Sequence, residues 1–209
     1  MTLDDAIAEL PVVAIIRGVT PDEAVATAQA LLDGGVRAVE VPLNSPEPFR
    51  SIRAIVDALG DRMAVGSGTV LTPEGVDRTA EAGGRLLVSP NTDPAVIRRA
   101  VELGLEPLPG FATPSEAFTA VAAGARRLKL FPAATYGPGH VKQLRAVLPP
   151  ETEVWAVGGV GAGDMAAWLA AGVRGFGVGS ELYKPGQAPA DTRAKAEAFV
   201  RAWRQTSAA

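Results

Sequence analysis

A lysine lies inside the apolar run RRLKLFP, which spans residues 126–132. The run follows a glycine and precedes a loop rich in proline and glycine, which is typical of a buried strand in a parallel sheet. Burying the ammonium group of Lys129 is costly unless the group is paired or loses its proton. A desolvated lysine with a lowered pKa is an effective amine nucleophile. The alternatives are a lysine that reaches solvent from a strand end, or one that pairs with a carboxylate.

A glutamate has the same kind of position in a second apolar run, AVEVPL, at residues 38–43. Side chains alternate along a strand, so Glu40 and Lys129 both point away from their apolar neighbours. If the strands close into a barrel, both side chains face its interior and meet there. A glutamate beside an amine nucleophile can serve as the general acid and base. A structural ion pair between the two is the alternative.

Eight strand-like apolar runs alternate with amphipathic segments along the whole chain. This alternation predicts a single (β/α)8 barrel domain over residues 1–209. A doubly wound open sheet is the competing architecture, but it usually has fewer strands and a glycine-rich nucleotide-binding first turn. The first turn here, IIRGVTPDE, has no G-x-G-x-x-G motif. The runs begin at residues 12, 37, 63, 85, 105, 126, 153 and 174.

Capping side chains that precede a proline mark five helix starts. They are Thr20-Pro21, Ser45-Pro46, Thr72-Pro73, Thr92-Asp93-Pro94 and Thr113-Pro114.

In a (β/α)8 barrel the active site lies where the strands end. Beside Lys129 and Glu40, the strand ends carry Arg17, Asn44, Thr69, Pro90 and Phe131. The planar guanidinium of Arg17 suits a carboxylate or a phosphate, although a salt bridge at the barrel rim is the alternative. Thr69 can donate its hydroxyl, and Phe131 either keeps the lysine in apolar surroundings or is simply core.

Two glycine-rich turns, VGGVGAGD and GVGS, follow the last two strands. Small residues there let backbone N–H groups approach an anion, helped by the N-terminus of the next helix. This is the usual phosphate site of the barrel fold. The alternative is that the glycines only permit tight packing. The candidate phosphate-binding residues are Gly158, Gly159, Gly179 and Ser180.

Composition excludes several classes of function. The net charge of -3 and the pI near 5.3 argue against a nucleic-acid partner or an anionic membrane surface. One histidine and no cysteine argue against a metal centre, a thiolate enzyme or a Ser-His-Asp triad. The acidic N-terminus lacks the basic region of a signal peptide, and no apolar run is long enough to span a membrane. We therefore expect a cytoplasmic protein.

These residues together resemble the 2-keto-3-deoxy-6-phosphogluconate and 2-keto-3-deoxy-6-phosphogalactonate aldolases, a family of class I aldolases on a (β/α)8 barrel. The matching pieces occur in the right order along nearly the whole chain. They are VVAIIRGVTPDEA, AVEVPLNSP, VGSGTVL, VSPNTD, LPGFATPSEA, LKLFPA, AVGGV and GVGSELY. The piece EVPLNSP resembles the phosphogalactonate branch, since the gluconate branch commonly has an arginine at the position of Asn44.

The resemblance implies a role for each candidate residue. Lys129 would form a Schiff base, Glu40 would be the general acid and base, and Arg17 with Thr69 would hold the pyruvyl carboxylate. Because Asn44 stands where the gluconate branch commonly has an arginine, the role of binding the substrate carboxylate shifts from position 44 toward Arg17. Pro90 and Phe131 would line the pocket, and the two glycine turns would bind phosphate. The family also implies a homotrimer that needs neither a metal nor a cofactor.

The expected reaction is cleavage of 2-dehydro-3-deoxy-6-phosphogalactonate, a phosphorylated keto acid, to pyruvate and glyceraldehyde 3-phosphate. Action on 2-dehydro-3-deoxy-6-phosphogluconate or on 4-hydroxy-2-oxoglutarate is the alternative within the family. A sugar-phosphate epimerase or isomerase needs no lysine nucleophile, and a non-catalytic barrel that binds a phosphometabolite needs no turnover. Borohydride trapping separates the first alternative from an aldolase, and Lys129 together with Glu40 disfavours the second.

Overall fold

The computed structural model describes residues 1–207, in which strands and helices alternate along the chain. The strands are β1 (Val12–Ile15), β2 (Ala38–Pro42), β3 (Ala64–Gly68), β4 (Leu86–Val88), β5 (Glu106–Leu108), β6 (Gly110–Phe111), β7 (Arg127–Leu130), β8 (Glu153–Val157) and β9 (Val173–Val178). The helices are α1 (Leu3–Ile7), α2 (Pro21–Asp33), α3 (Pro48–Leu59), α4 (Pro73–Glu81), α5 (Pro94–Glu102), α6 (Pro114–Ala122), α7 (Ala133–Arg145), α8 (Met165–Ala170) and α9 (Pro189–Ser207). None of these helices combines the length and apolarity that a bilayer crossing requires.

The strands form one parallel sheet in the order β5-β4-β3-β2-β1-β9-β8-β7-β6. The two ends of this order, β5 and β6, come from the fifth predicted run, which Pro109 divides. Residues 106–108 pair with β4, whereas residues 110–111 pair with β7. The carbonyl of Pro109 accepts a hydrogen bond of 2.8 Å from the N–H of Lys129. The fifth run therefore joins the two edges, and the prediction of a (β/α)8 barrel is confirmed.

Four of the five predicted helix starts are correct. Each of these four helices begins at the proline that follows its predicted capping residue. The capping residues are Thr20 for α2, Thr72 for α4, Asp93 for α5 and Thr113 for α6. The prediction at Ser45-Pro46 is wrong, because α3 begins at Pro48 after Glu47. The hydroxyl of Ser45 instead accepts a hydrogen bond of 2.9 Å from the N–H of Gly18. It therefore ties the loop after β2 to the loop after β1.

The first helix, α1, was not expected from the sequence. Leu3 and Ala6 of this helix are buried in one cluster with Val13, Ala38 and Trp155 inside the barrel. Trp155 is completely buried, and a Cβ at Gly175 would lie 2.6 Å from its ring. The N-terminal end of the barrel is therefore filled by an indole ring and closed by a short helix.

A buried arginine adds a charged layer at the same end. The side chain of Arg127 is only 5% exposed and has three carboxylate partners. It contacts Glu106 at 2.9 Å, Glu153 at 2.9 Å, and Asp4 of α1. Since these carboxylates belong to β5, β8 and α1, one guanidinium links three separate segments. Arg127 lies two positions before Lys129 and shares its interior face by strand alternation.

We expect Arg127→Ala to lower the free energy of unfolding by about 3 kcal/mol, because it leaves partly buried carboxylates without a counter-charge. Urea unfolding followed by circular dichroism measures this change. Arg126→Ala is the matched control, since Arg126 is 59% exposed and its ion pairs with Asp4 and Glu106 are worth about 1 kcal/mol or less. Equal losses in the two variants would contradict a special role for Arg127.

Candidate active site

Lys129 and Glu40 occupy opposite walls of the barrel. Lys129 lies on β7 and is 6% exposed, whereas Glu40 lies on β2 and is 3% exposed. The sheet order places β2 and β7 four steps apart around an eight-stranded ring, with β1, β9 and β8 between them on one side. Both side chains lie in the barrel interior, where apolar residues are usual, as strand alternation predicted.

The two groups do not form a salt bridge among the ion pairs of residues 1–207. Oxygen Oε2 of Glu40 is buried and has no hydrogen-bond partner in this part of the chain. Lys129 and Arg17 act on the Glu40 carboxylate through their charges rather than through hydrogen bonds. The structure therefore does not contain the structural ion pair that was the alternative for these two residues.

Burial dominates the titration of both groups. It raises the pKa of Glu40 from its ordinary value of 4.5 to about 7, against the attraction of Lys129 and Arg17, which lower it. Burial also lowers the pKa of Lys129 from 10.5 to about 8, a change that Glu40 opposes and Arg17 reinforces. Near neutral pH the site can therefore present both an uncharged amine and a carboxyl group that gains and loses a proton.

Phe131 follows Lys129 by two positions and lies at the opening of the barrel, where it is 37% exposed. The Nζ atom of Lys129 lies 4.7 Å from the centre of its ring. The ring therefore forms an apolar wall beside the amine, and its face attracts the amine when it is protonated.

Arg17, Asn44 and Thr69 form a polar cluster at the ends of β1, β2 and β3. The guanidinium of Arg17 donates to Oδ1 of Asn44 and to Oγ1 of Thr69, the latter at 3.4 Å. Thr69 has a positive φ of 57°, which is costly for a β-branched residue and indicates a local constraint. Asn44 therefore orients the arginine on the neighbouring strand, while the guanidinium remains exposed to the opening.

A cavity of about 350 Å³ opens beside this cluster, between the ends of β1, β8 and β9. Six predicted site residues line it, namely Arg17, Phe131, Gly158, Gly159, Gly179 and Ser180. The wall also contains Ile15, Val157, Val160, Gly161, Gly177 and Glu181. Lys129, Glu40, Asn44 and Thr69 lie outside this wall. Pro90 also lies outside it, and its carbonyl packs closely against Gly110, where a Cβ would lie 2.2 Å from the oxygen.

The two glycine-rich turns that line this cavity carry several backbone N–H groups. The N–H groups of Gly159, Val160, Ser180 and Glu181 donate no hydrogen bond to acceptors within residues 1–207. Gly159 has a φ of 72°, and a Cβ there would lie 2.7 Å from Ala134, so this turn requires glycine. Free N–H groups on two neighbouring turns can bind phosphate oxygens.

One amide near these turns is already occupied by the protein itself. The carboxylate of Asp164, the residue that precedes the six-residue helix α8, accepts a hydrogen bond of 2.9 Å from the N–H of Gly161. The N–H of Gly161 is therefore not free to bind an anion.

Glu181 is a wall residue that the sequence did not reveal. Its Cδ lies 3.5 Å from the place of a Cβ at Gly161, so its carboxylate borders the same cavity as the free N–H groups. Its charge opposes a bound anion, whereas Arg17 attracts one. It directly follows the GVGS turn at an exposed position, where neither periodicity nor a motif distinguishes it from an ordinary surface glutamate.

Comparison with protein families shows which family this chain belongs to. The family described as KDPG and KHG aldolase matches residues 3–196 of this chain. The chain belongs to the KDPG and KHG aldolase family. Within this family, it is 52% identical over 197 residues to the 2-dehydro-3-deoxy-6-phosphogalactonate aldolase of Escherichia coli strain K12, covering 94% of this chain and 96% of the relative.

Two further comparisons locate the chain within the KDPG and KHG aldolases. A solved structure described as native KDPGal superposes with a TM-score of 0.93 at 52% identity, covering 96% of this chain and 97% of the other. The KHG/KDPG aldolase of the same Escherichia coli strain is 35% identical over 144 residues, or 69% of this chain and 66% of the relative. The resemblance to the phosphogalactonate branch is therefore confirmed.

The raised pKa of Glu40 predicts a specific pH dependence of stability. Between pH 4.5 and 7 the unfolded chain has lost the Glu40 proton while the folded chain retains it, so the free energy of unfolding falls as pH rises. We expect the free energy of unfolding of Glu40→Gln to equal that of the native chain at pH 4.5. At pH 7.5 it should exceed the native value by on the order of 2 kcal/mol. Urea unfolding at the two pH values measures the difference.

Glu151→Gln serves as the control for this pH dependence, because Glu151 is exposed. A Glu40→Gln variant whose stability tracks that of the native chain at both pH values would show that Glu40 titrates normally.

Proposed function

We propose that this chain is a class I aldolase that cleaves 2-dehydro-3-deoxy-6-phosphogalactonate into pyruvate and glyceraldehyde 3-phosphate. The observation that carries the proposal is the burial of Lys129 opposite Glu40 without a salt bridge between them. A buried, unpaired lysine with a pKa near 8 provides the neutral amine that attack on a ketone requires.

The reaction begins at the C2 ketone of the substrate. The neutral amine of Lys129 adds to C2, and the C2 oxygen leaves as water with a proton from the Glu40 carboxyl group, which yields a protonated Schiff base and an ionised Glu40. This iminium accepts the electron pair of the C3–C4 bond as that bond breaks. Glu40 takes the proton of the C4 hydroxyl, directly or through a water, so that C4 leaves as the aldehyde of glyceraldehyde 3-phosphate. Correct placement of such a base is worth about 10²–10⁴-fold in rate.

The second half returns the enzyme to its starting state. The enamine left on Lys129 takes a proton at C3 from Glu40, and water then hydrolyses the Schiff base to release pyruvate. Since the carboxyl group both accepts and donates a proton, a pKa near 7 suits its two steps.

Two anion sites hold the ends of the substrate. Arg17 binds the C1 carboxylate with help from the hydroxyl of Thr69, and Asn44 orients the guanidinium. The turns at Gly158-Gly159 and Gly179-Ser180 bind the phosphate through backbone N–H groups. By resemblance to the family, Pro90 and Phe131 line the pocket of the pyruvyl group, and of these two Phe131 also lines the cavity beside Arg17. Binding energy from the remote phosphate positions C4 against Glu40.

Phosphogalactonate is favoured over phosphogluconate by two observations. The chain is 52% identical to a relative named for the first substrate and 35% identical to one named for KHG and KDPG. Asn44, a short neutral amide, stands where the gluconate branch commonly has an arginine. The non-catalytic barrel is disfavoured because such a protein gains nothing from burying an unpaired lysine and glutamate.

We also infer that the chain forms one catalytic domain that acts as a homotrimer in the cytoplasm. A 52% identical chain forms part of a protein cage described as a fusion of symmetric oligomeric domains. The exposed apolar side chains Val101 and Leu103 on and after α5, with Phe118 on α6, offer a surface for association.

Incubation with pyruvate and borohydride should inactivate the protein and add one reduced pyruvyl group per chain, on Lys129. The reduced Schiff base survives digestion, so peptide mass mapping locates it. Lys142→Ala is the control and should label normally, because Lys142 lies outside the barrel interior on α7. Labelling of Lys142, or of no lysine, would rule out the Schiff-base assignment.

The ratio of kcat/KM for the two C4 epimers tests the substrate assignment separately. The epimers differ only at C4, so the shared phosphate cannot distinguish them. A gained or lost polar contact is worth roughly 1–3 kcal/mol, which corresponds to a preference of about 5- to 150-fold for the phosphogalactonate. Equal kcat/KM values, or a preference for the phosphogluconate, would refute the assignment to the phosphogalactonate branch. The aldolase mechanism would remain intact.

A further inference from the structure

Gly68 ends β3, directly beside the strand that carries Glu40. The register pairs Glu40 with Gly66 and Pro42 with Gly68. A Cβ built at Gly68 would lie 1.8 Å from Oε2, 2.2 Å from Cδ and 2.3 Å from Oε1 of Glu40. Non-bonded heavy atoms prefer separations of about 3.5–4.0 Å. The Glu40 carboxylate therefore occupies the space in which any other residue would place its side chain.

The backbone gives no separate reason for glycine at this position. Gly68 lies within a strand and is absent from the residues of positive φ, unlike Thr69, which follows it. Position 68 therefore requires glycine because a side chain there would overlap the carboxylate of Glu40.

This location also fixes where the carboxylate stands relative to the cations around it. The positive charges of Lys129, on β7 across the barrel, and of Arg17, at the end of β1, both act on it and lower the pKa of Glu40. Against β3, the carboxylate remains unpaired with the amine, and its Oε2 has no partner within residues 1–207. A methyl group at position 68 would displace it from β3 toward the barrel axis, and thus toward Lys129.

We propose that Gly68 is a positioning residue for the aldol reaction, which seats the Glu40 carboxylate against β3 and so keeps it from forming an ion pair with Lys129. This inference rests on the proposed function. An amine locked in an ion pair holds its proton more tightly and attacks a ketone more slowly, and a paired carboxylate is a weaker base. The missing side chain therefore maintains the reactive state of both groups.

Gly68→Ala tests the proposal through the pH dependence of Schiff-base formation. We expect kcat for cleavage to fall about 10- to 100-fold, with a smaller change in KM because Arg17 and the glycine turns are untouched. The pH midpoint of pyruvate trapping by borohydride should move up by about one unit or more, as for a lysine that gains an opposite charge. A variant with a native kcat and a native trapping profile would overturn the proposal.

A double-mutant cycle separates positioning from packing. Aspartate is one methylene shorter than glutamate, so Glu40→Asp should free the space beside position 68. We expect Gly68→Ala to lower the urea midpoint in the native chain but to lower it much less in the Glu40→Asp background. Equal losses in both backgrounds would show that Gly68 serves strand packing alone and would overturn the proposal.

The double variant also keeps the proposal testable if Gly68→Ala alone does not fold, because the expected rescue then appears as recovery of folded protein. Failure of the proposed function is recognised independently. In that case the native chain is not labelled on Lys129 by pyruvate and borohydride, whatever the outcome of the stability cycle.

Discussion

The constraint on which the site depends is the cost of desolvating two ionisable groups in one barrel without pairing them. At neutral pH a solvated Lys129 would be protonated and could not add to a ketone, and a solvated Glu40 would be ionised and could accept a proton but seldom donate one. Burial moves both pKa values toward neutrality, to about 8 and about 7. Direct pairing would restore the charged forms, so the fold has to supply burial and separation together.

The barrel interior is divided along its axis to meet this constraint. Arg127 and Lys129 are two residues apart on β7 and face the same interior, yet their surroundings are opposite. Arg127 contacts three carboxylates at the closed end, where Trp155 fills the volume. Lys129 has none of these partners, and its amine lies beside Phe131, which lines the open cavity. Charge pairing stabilises one end, and the other end retains the two unpaired groups to which the proposed reaction assigns amine addition and proton transfer.

The sequence predicted those properties of the site that depend on strand alternation. The interior positions of Lys129 and Glu40 follow from a period of two, and the barrel follows from eight repeated units. The same alternation places Arg127 inside, but it does not reveal that three carboxylates from distant segments meet there. Ser45 precedes a proline like a helix cap, yet its hydroxyl bonds to a neighbouring loop. Such pairings depend on distances across the barrel, which sequence periodicity does not contain.

Glycine is where sequence reasoning is weakest, because one residue type satisfies several physical requirements. Gly159 provides a positive φ, Gly175 makes room for an indole ring, and Gly68 makes room for a carboxylate. Only the third requirement concerns an ionisable side chain. If Glu40 is the acid and base proposed above, the glycine next to it takes part in the chemistry, whereas a glycine next to an aromatic ring serves packing alone. The proposed reactivity of Glu40 then depends on an absent side chain as much as on the cations around it.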